Sequence, residues 1–377
     1  MTTAELTWEQ VHRWRLAQHR LSGQAAGESA LEIVRAICGL QAQLMSAAEL
    51  ALRVRSPDAS PSDLEAGLWR DRTLVKTWVM RGTLHIVAAD DLPLYVAARA
   101  ATPVRRPPSY FTYHGVTPEE YEAILATVPA VLSDTPQTRE QLADAVAERA
   151  ANPRLRTVLL SGWGALLKPS AWSGALCFGP GQGQNVTFVH PRRWLHGWRE
   201  FEPQEALREV ARRFLAAYGP ATPEDFARWW GTDPGPAKRL FRSLEGELAQ
   251  VDVEGWRAWA LAATLEAMAD LPAGGGARLL PAFDPYTIAL LRHPAVLPEE
   301  RRSQVSRPQG WIAPAILLGG RIVGVWEHEA KGRRVNVRLE PFEPPPPEAS
   351  AQLEREAQRL SAFLEQPQAR RVEGGDS

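Results

Sequence analysis

The sequence predicts an α+β protein with three tandem winged-helix domains, a small β-barrel-like module and a C-terminal helix. Helix-start signals recur along the first 265 residues, and after each series of helices come runs rich in β-branched residues. After about residue 277 the pattern changes to short strands separated by glycine turns. The predicted boundaries are 1–105, 106–200 and 201–265 for the winged helices, 266–342 for the β-rich module, and 343–377 for a proline spacer, helix and tail.

The first domain begins with two capping boxes, in which a threonine or serine is followed three residues later by glutamine or glutamate. These pairs are Thr7 with Gln10 and Ser29 with Glu32. Two runs of β-branched residues, 74–79 and 83–87, flank Arg81-Gly82 and predict a β-hairpin. Helices followed by a hairpin are the element order of a winged helix.

The same order recurs twice. Thr117-Pro118 and Thr222-Pro223 each combine a capping threonine with proline at the first helical position. After the second, the pattern predicts a helix over 237–244 and a strand over 248–253. The middle domain has a helix starting near Thr138 and a glycine-rich hairpin over 177–190.

The C-terminal part predicts strands over 278–284, 315–323 and 335–339, the second folded into a hairpin at Gly319-Gly320. Together they predict a small β-barrel or an open sheet. An amphipathic helix is predicted over 351–364. The residues after Arg370 are predicted to be disordered.

Composition narrows the class of function. The 377 residues include 43 lysines and arginines and 44 acids, which argues against a protein that coats nucleic acid non-specifically. The two cysteines, Cys38 and Cys177, are too few for a disulfide framework or a cysteine zinc site. No signal peptide or membrane span is recognised, so we expect a cytoplasmic protein. We also expect a monomer that needs no metal or cofactor, and a nucleoid-associated one if the chain binds DNA.

One short segment suggests chemistry. Gln41 and Gln43 flank Ala42 just after Gly39, a residue placed to end a helix. Residues two apart lie on the same side of an extended segment, so both amides are predicted to face one cleft. An exposed pair on a helical turn is the alternative that spacing alone leaves open.

Four motifs occur in an order that resembles the AlkZ/YcaQ-like family of bacterial DNA glycosylases, over roughly residues 5 to 365. The motifs are Gln41-Ala42-Gln43, Arg81-Gly82-Thr83-Leu84-His85, Leu280-Pro281-Ala282-Phe283-Asp284 and the segment 319–326. The resemblance implies three winged helices and a β-barrel gripping duplex DNA, with Gln41 and Gln43 as the catalytic pair. Glutamine at the second position places the chain nearer to AlkZ than to the YcaQ-like branch, which has aspartate there. The segment 287–294 departs from the family pattern of glycine and basic residues.

The chemistry of glutamine fits that role for one class of substrate. An amide orients a water molecule and offers a dipole, but it does not take up a proton at neutral pH. A two-glutamine site therefore suits a base that nearly leaves unaided, such as a cationic purine alkylated at N7 or N3. Interstrand crosslinks are a possible extension of that class, and lyase activity is not expected.

Residues expected to bind double-stranded DNA carrying alkylated bases lie near predicted domain edges and in the first wing. They are Arg81, His85, Arg105, Arg106, Arg192, Arg193, His293, Arg301 and Arg302, with Arg333 and Arg334 as further candidates. His85 and Asp284 are alternatively structural, and Asp284 is assigned a structural or site-supporting role.

Two other functions remain open at this point. A non-catalytic winged-helix transcriptional regulator would bind a palindromic operator as a dimer, but three unlike domains give no twofold repeat. A protein-interaction scaffold built from winged helices is the third possibility, since fold alone does not assign function.

Overall fold

Many helices of this chain begin at strong capping residues, and short strands lie between groups of helices. The computed structural model describes residues 3–23, 27–102, 104, 106–162, 164–272, 275–332 and 334–365. Within these residues the α-helices are α1 (Trp8–Gln18), α2 (Ala30–Ala36), α3 (Met45–Arg55), α4 (Pro61–Glu65), α5 (Leu92–Ala100), α6 (Pro108–His114), α7 (Pro118–Val131), α8 (Arg139–Arg149), α9 (Arg154–Leu160), α10 (Lys168–Trp172), α11 (Pro191–Trp194), α12 (Pro203–Tyr218), α13 (Pro223–Trp230), α14 (Pro234–Ser243), α15 (Leu265–Asp270), α16 (Pro285–Leu290), α17 (Arg302–Val305) and α18 (Pro347–Leu364).

The strands are short, with β12 the longest. They are β1 (Ala4–Leu6), β2 (Leu40–Gln41), β3 (Leu74–Trp78), β4 (Leu84–Ala88), β5 (Gln137–Thr138), β6 (Cys177–Gln182), β7 (Asn185–Val189), β8 (Leu248–Val253), β9 (Trp256–Leu261), β10 (Ala277–Leu280), β11 (Ala315–Leu318), β12 (Arg321–Lys331) and β13 (Arg334–Pro341). The mixed α+β class is therefore confirmed.

The capping residues predicted from the sequence start their helices. Complete capping boxes form at Thr7, Ser29, Thr117 and Thr138, where the side chain accepts a backbone N–H and the residue three positions later bonds back. Thr222 and Asp225 make the same reciprocal bonds ahead of α13. These caps fix where the helices begin without requiring any distant contact.

The chain divides into two compact units. The larger unit comprises Met1–Leu64, Ala211–Trp229 and Asp233–Ser377, and the smaller unit comprises Glu65–Val210 and Trp230–Thr232. The predicted domain boundaries and the number of winged helices stay predictions.

In the smaller unit, β3 and β4 form the hairpin predicted around Arg81-Gly82, with Trp78 opposite Leu84. A second antiparallel sheet has the strand order β5-β7-β6. The core of this unit includes Trp78, Phe178 and Phe188 together with apolar residues of α7, α8 and α9. The two thiols are buried in different units, Cys177 here and Cys38 in the larger unit.

In the larger unit, β10, β11, β12 and β13 form an antiparallel sheet in that order. Gly319 and Gly320, with φ of 55° and 85°, make the predicted tight turn between β11 and β12, a conformation that glycine adopts without strain.

The β-barrel-like module is corrected to an open sheet, since no sheet among the described residues closes into a barrel. Leu353, Leu360 and Phe363 of α18 join Ala277 and Trp326 of the sheet in one core cluster. Helix α18 therefore covers the apolar surface of the sheet, which closure of the sheet into a barrel would otherwise bury. The predicted disordered tail lies outside the described residues.

A further sheet of the larger unit has the order β1-β8-β9. Ala4 of β1 is paired in parallel with Val251 of β8.

Across the described residues, no helix combines the length and the apolar character needed to cross a bilayer.

Candidate active site

The segment that carries Gln41 and Gln43 is an extended bridge between two helices. After α2 the backbone passes through Cys38 and Gly39, with φ of 61° and 111°, and the Gly39 N–H donates to the Val34 carbonyl at 2.8 Å. Leu44 is extended (φ −116°, ψ 127°), and α3 starts at the next residue. The predicted helix break at Gly39 is confirmed.

Three of the four residues 40–43 of this bridge are buried. Leu40 and Ala42 are 0% exposed and anchor the bridge in the core, and Gln41 is buried at 8% exposure. Gln43, two residues later, is exposed to solvent.

The helix that follows the bridge is tied down at its far end. Arg55, the last residue of α3, donates from Nη1 to Oδ2 of Asp284 at 2.7 Å and from Nη2 to Oδ1 at 2.9 Å. Both side chains are 0% exposed. Asp284 also accepts the Tyr286 N–H at 2.9 Å, which caps α16. The aspartate of the 280–284 motif thus joins α3 to α16.

His85 is a buried residue of the β3–β4 hairpin. Its Nδ1 lies 2.9 Å from the Thr83 carbonyl oxygen, so Nδ1 is the protonated nitrogen that donates. Burial lowers the pKa of His85 to about 3, and the charge of Arg81 adds to the shift. The imidazole is neutral at physiological pH, and its geometry favours the structural alternative over a charged contact with phosphate.

Arg81 occupies the turn of that hairpin. Its φ of 54° is left-handed, a conformation rare for residues other than glycine. The side chain is half-buried.

Arg106 lies among aromatic rings of the smaller unit. Its guanidinium is centred 5.0 Å from the ring of Tyr121 and 5.8 Å from that of Tyr110, and Nη1 donates to the Val104 carbonyl at 3.3 Å. Arg105 lies outside the described residues. These contacts engage the cation of Arg106 within the protein.

Arg192 and Arg193 are both exposed. Arg192 pairs with Glu200 and is centred 4.4 Å from the ring of Trp198. Arg193 donates from Nη1 to the Leu132 carbonyl at 2.9 Å. Both guanidinium groups are accessible at this edge of the smaller unit, and the charge of Arg192 is balanced by Glu200.

His293 packs against two tryptophans of the larger unit. Its ring centroid is 4.5 Å from those of both Trp8 and Trp256. Burial and the charge of Arg15 lower the pKa of His293 to about 4. At neutral pH it is therefore an uncharged member of an aromatic cluster.

Arg301 and Arg302 are half-buried at the start of α17. The Arg301 guanidinium is centred 5.4 Å from the ring of Phe342, and Arg302 pairs with Glu299 at 3.2 Å. Arg334 is exposed at the start of β13, and Arg333 lies outside the described residues.

The candidates are divided between the two units. Gln41, Gln43, Asp284, His293, Arg301 and Arg302 belong to the larger unit, and Arg81, His85, Arg106, Arg192 and Arg193 belong to the smaller. Among the described residues, no group of three or more histidine, cysteine, aspartate or glutamate side chains is placed to hold a metal ion.

A pocket of about 180 Å³ lies beside the bridge, and no sequence motif indicated it. Leu44, Ser46 and Ala47 line one side of it, directly after Gln43 in the chain, and Trp311 and Trp326 contribute aromatic surface. The pocket assembles residues from five separate segments, so no local motif marks it. Trp311 is 40% exposed in the structure, and a large exposed aromatic side chain of this kind marks a candidate binding surface.

Comparisons with known proteins relate the chain to DNA glycosylases. A family model described as DNA glycosylase AlkZ-like matches residues 34–363. A curated relative from Streptomyces sahachiroi, an interstrand DNA cross-link repair glycosylase, is 38% identical over 329 residues, or 85% of this chain and 88% of the relative. The solved structure of the Streptomyces sahachiroi DNA glycosylase AlkZ is similar with a TM-score of 0.86 and 34% identity, over 96% of this chain and 97% of that one.

Proposed function

The chain belongs to the AlkZ-like family of DNA glycosylases, and from that premise we propose that it hydrolyses the N-glycosidic bond of cationic purines alkylated at N7 or N3 in duplex DNA. Gln41 and Gln43 act on the attacking water. Because the curated relative is named for interstrand cross-link repair, crosslinked purines are included in the proposed substrates. The enzyme acts as a monomer in the cytoplasm and has no lyase step.

The observation that carries the proposal is the placement of one glutamine in the core and the next at the surface, two residues apart in the bridge. A water-positioning group must be fixed in place and yet reach the solvent-facing side of the site. Gln41, almost buried in β2, meets the first need, and Gln43, exposed two residues later, meets the second.

The chemistry follows from what an amide does. A glutamine carbonyl accepts a hydrogen bond from the water, and this bond orients the water oxygen towards C1′ of the sugar. The bond between C1′ and the purine nitrogen breaks, and its electron pair neutralises the cationic base as it leaves. The water oxygen bonds to C1′ and its proton passes to solvent. Since the substrate supplies the leaving-group charge, no protein acid is required.

The rival function, a non-catalytic regulator, is not favoured, because the relatives are named as glycosylases. DNA binding is proposed to use Arg81, Arg106, Arg192, Arg193, Arg301 and Arg302, with three winged helices as the scaffold. His293 and Asp284 support the fold of the larger unit, and His85 supports the fold of the smaller unit.

The test is base release from a duplex with one 7-methylguanine, read as alkali-labile abasic sites under single-turnover conditions. Wild-type protein is expected to release the base, and Gln43→Ala to release it roughly a hundredfold more slowly, as for loss of one oriented dipole. Gln304→Ala, at an exposed site on α17, is the matched control. Duplexes with uracil or 8-oxoguanine should remain intact.

Two results would contradict the proposal. Release of uracil at a rate similar to that of 7-methylguanine would exclude a site restricted to cationic bases. An unchanged rate in Gln43→Ala would remove the amide from the chemistry.

A further inference from the structure

The pocket beside the Gln41–Gln43 bridge is an apolar cavity at the border of the hydrophobic core of the larger unit. Ten of its thirteen lining residues are apolar, and the polar ones are Ser46, Glu49 and His328. A normal base would leave its hydrogen-bonding edge without partners there, at a cost of some kcal/mol. The lining therefore suits hydrocarbon or aryl groups rather than the base itself.

The aromatic walls are held in defined positions. Trp326 is 3% exposed and its indole N–H donates to the Leu280 carbonyl at 2.8 Å, so its polar edge is already engaged. Trp311 is 40% exposed and contacts Phe283 edge to face, with ring centroids 5.1 Å apart. A large exposed tryptophan on the wall of an apolar cavity is typical of a binding surface.

We propose that this pocket receives the aryl or alkyl part of a bulky adduct carried by the alkylated purine. The inference rests on the proposed function, since it assigns the adduct to a pocket beside the proposed catalytic pair. Its position supports this: Leu44 and Ser46 line the pocket, and Gln43 directly precedes them. Its volume of about 180 Å³ fits one aromatic ring with a short linker, as an apolar cavity of roughly 150 Å³ holds benzene.

The charge of the substrate is compatible with this placement. The adduct is attached to a cationic purine, and Glu49 contributes the one acidic side chain of the pocket lining. The adduct would then lie on apolar surface, with the positive ring system nearer to the amides and the solvent-facing side.

The experiment compares 7-methylguanine with 7-benzylguanine in the same duplex. Both bases are cationic, and they differ by one phenyl ring. Single-turnover release is measured over a range of enzyme concentrations and divided by each duplex's spontaneous depurination rate. The half-saturating enzyme concentration should be on the order of tenfold lower for the benzyl duplex, as for an added apolar group in a hydrophobic pocket.

Two variants alter the pocket in opposite ways. Trp311→Ala removes an aromatic wall, and Ser46→Leu fills space next to it. Both should bring the benzyl-to-methyl ratio towards one while release of 7-methylguanine stays near the wild-type rate. Tyr113→Ala, which removes a tyrosine 85% exposed in the smaller unit, is the matched control and should keep the wild-type ratio.

The outcomes separate the two proposals. Equal half-saturation for both duplexes in the wild type overturns the pocket assignment without using any variant. An equal loss on both duplexes in Trp311→Ala also overturns it, because the residue would then serve binding in general. Release of neither base by the wild type would refute the proposed function, and with it the inference.

Discussion

The guanidinium of Arg55 and the carboxylate of Asp284 form a bidentate ion pair that spans 229 residues of chain and is wholly buried. Arg55 ends α3, and α3 begins two residues after Gln43. The pair therefore fixes the helix that follows the proposed catalytic bridge. Its partner Asp284 also caps α16, so one carboxylate organises two elements of the larger unit.

Breaking this pair should destabilise the larger unit strongly. Arg55→Met leaves the Asp284 carboxylate buried without its cation, a change that typically costs about 3–5 kcal/mol of unfolding free energy. A clear fall in melting temperature is expected by calorimetry. Arg338→Met, which breaks an exposed pair with Glu327 in the same unit, is the control and should change little. Equal melting of the two variants would show that Arg55 is not a structural anchor.

The two glutamines should act on one water. Gln41→Ala and Gln43→Ala should each slow base release with duplex affinity retained, and the double variant should lose less than the product of the single losses. Gln43→Asp should remain active, because a carboxylate orients water and also accepts a proton. Each variant is measured by single-turnover release next to a thermal melt. Multiplicative losses would mean that the amides act independently.

Stability should fall in mild acid because of buried histidines. The pKa of His85 is lowered to about 3, that of His12 also to about 3 and that of His293 to about 4, in each case mainly by burial. The unfolded chain binds these protons near pH 6.5 and the folded protein does not. Stability is therefore highest above pH 6.5 and falls as the pH drops to about 4 for His293 and about 3 for His85 and His12. Each histidine should contribute a loss of about 2 kcal/mol between pH 8 and pH 5.

Urea unfolding at pH 8 and pH 5 measures this effect. His85→Gln should reduce the difference between the two pH values by about one histidine's share. His196→Gln, at an exposed position of the same unit, should leave the difference unchanged. A pH response that is identical in His85→Gln and the wild type would contradict the assignment.

DNA affinity should depend on salt and on the exposed arginines of the smaller unit. The logarithm of the binding constant should fall with the logarithm of salt concentration by about 0.9 per phosphate neutralised. The double variant Arg192→Glu, Arg193→Glu should weaken binding to all duplexes alike and make this slope shallower. Arg359→Glu, an exposed arginine of α18, is the control. Fluorescence anisotropy over several salt concentrations gives both quantities, and a salt-independent affinity would exclude phosphate contacts.

Local chemistry explains what the sequence predicts well. Capping boxes such as Thr7 with Gln10 involve four consecutive residues, so their pattern is legible without the fold. The same holds for the Gly319-Gly320 turn and for the break at Gly39. The extended bridge of Gln41 and Gln43 was predictable because its determinant, a left-handed glycine, lies two residues away.

Contacts between distant residues explain what the sequence does not predict. Strand β1 has three residues and pairs with β8 some 250 residues later, and nothing in Ala4–Leu6 marks that partner. Arg55 was not singled out, since an arginine at a helix end is ordinary until Asp284 is placed against it. The strands alone left a barrel and an open sheet as alternatives, and the sheet is open because α18 covers its apolar surface in the folded protein.

The pairing of β1 with β8 has a consequence for how the protein is made. The smaller unit consists almost entirely of one continuous stretch, Glu65–Val210, whereas the larger unit is assembled from three separated stretches. At about 5–20 residues per second, the ribosome needs roughly 10 to 50 s after making β1 to produce its partner strand. The smaller unit can therefore fold during translation. The first helices of the larger unit keep their apolar faces uncovered until the rest of that unit has been synthesised. We expect ribosome-associated chaperones to bind newly made chains during that interval.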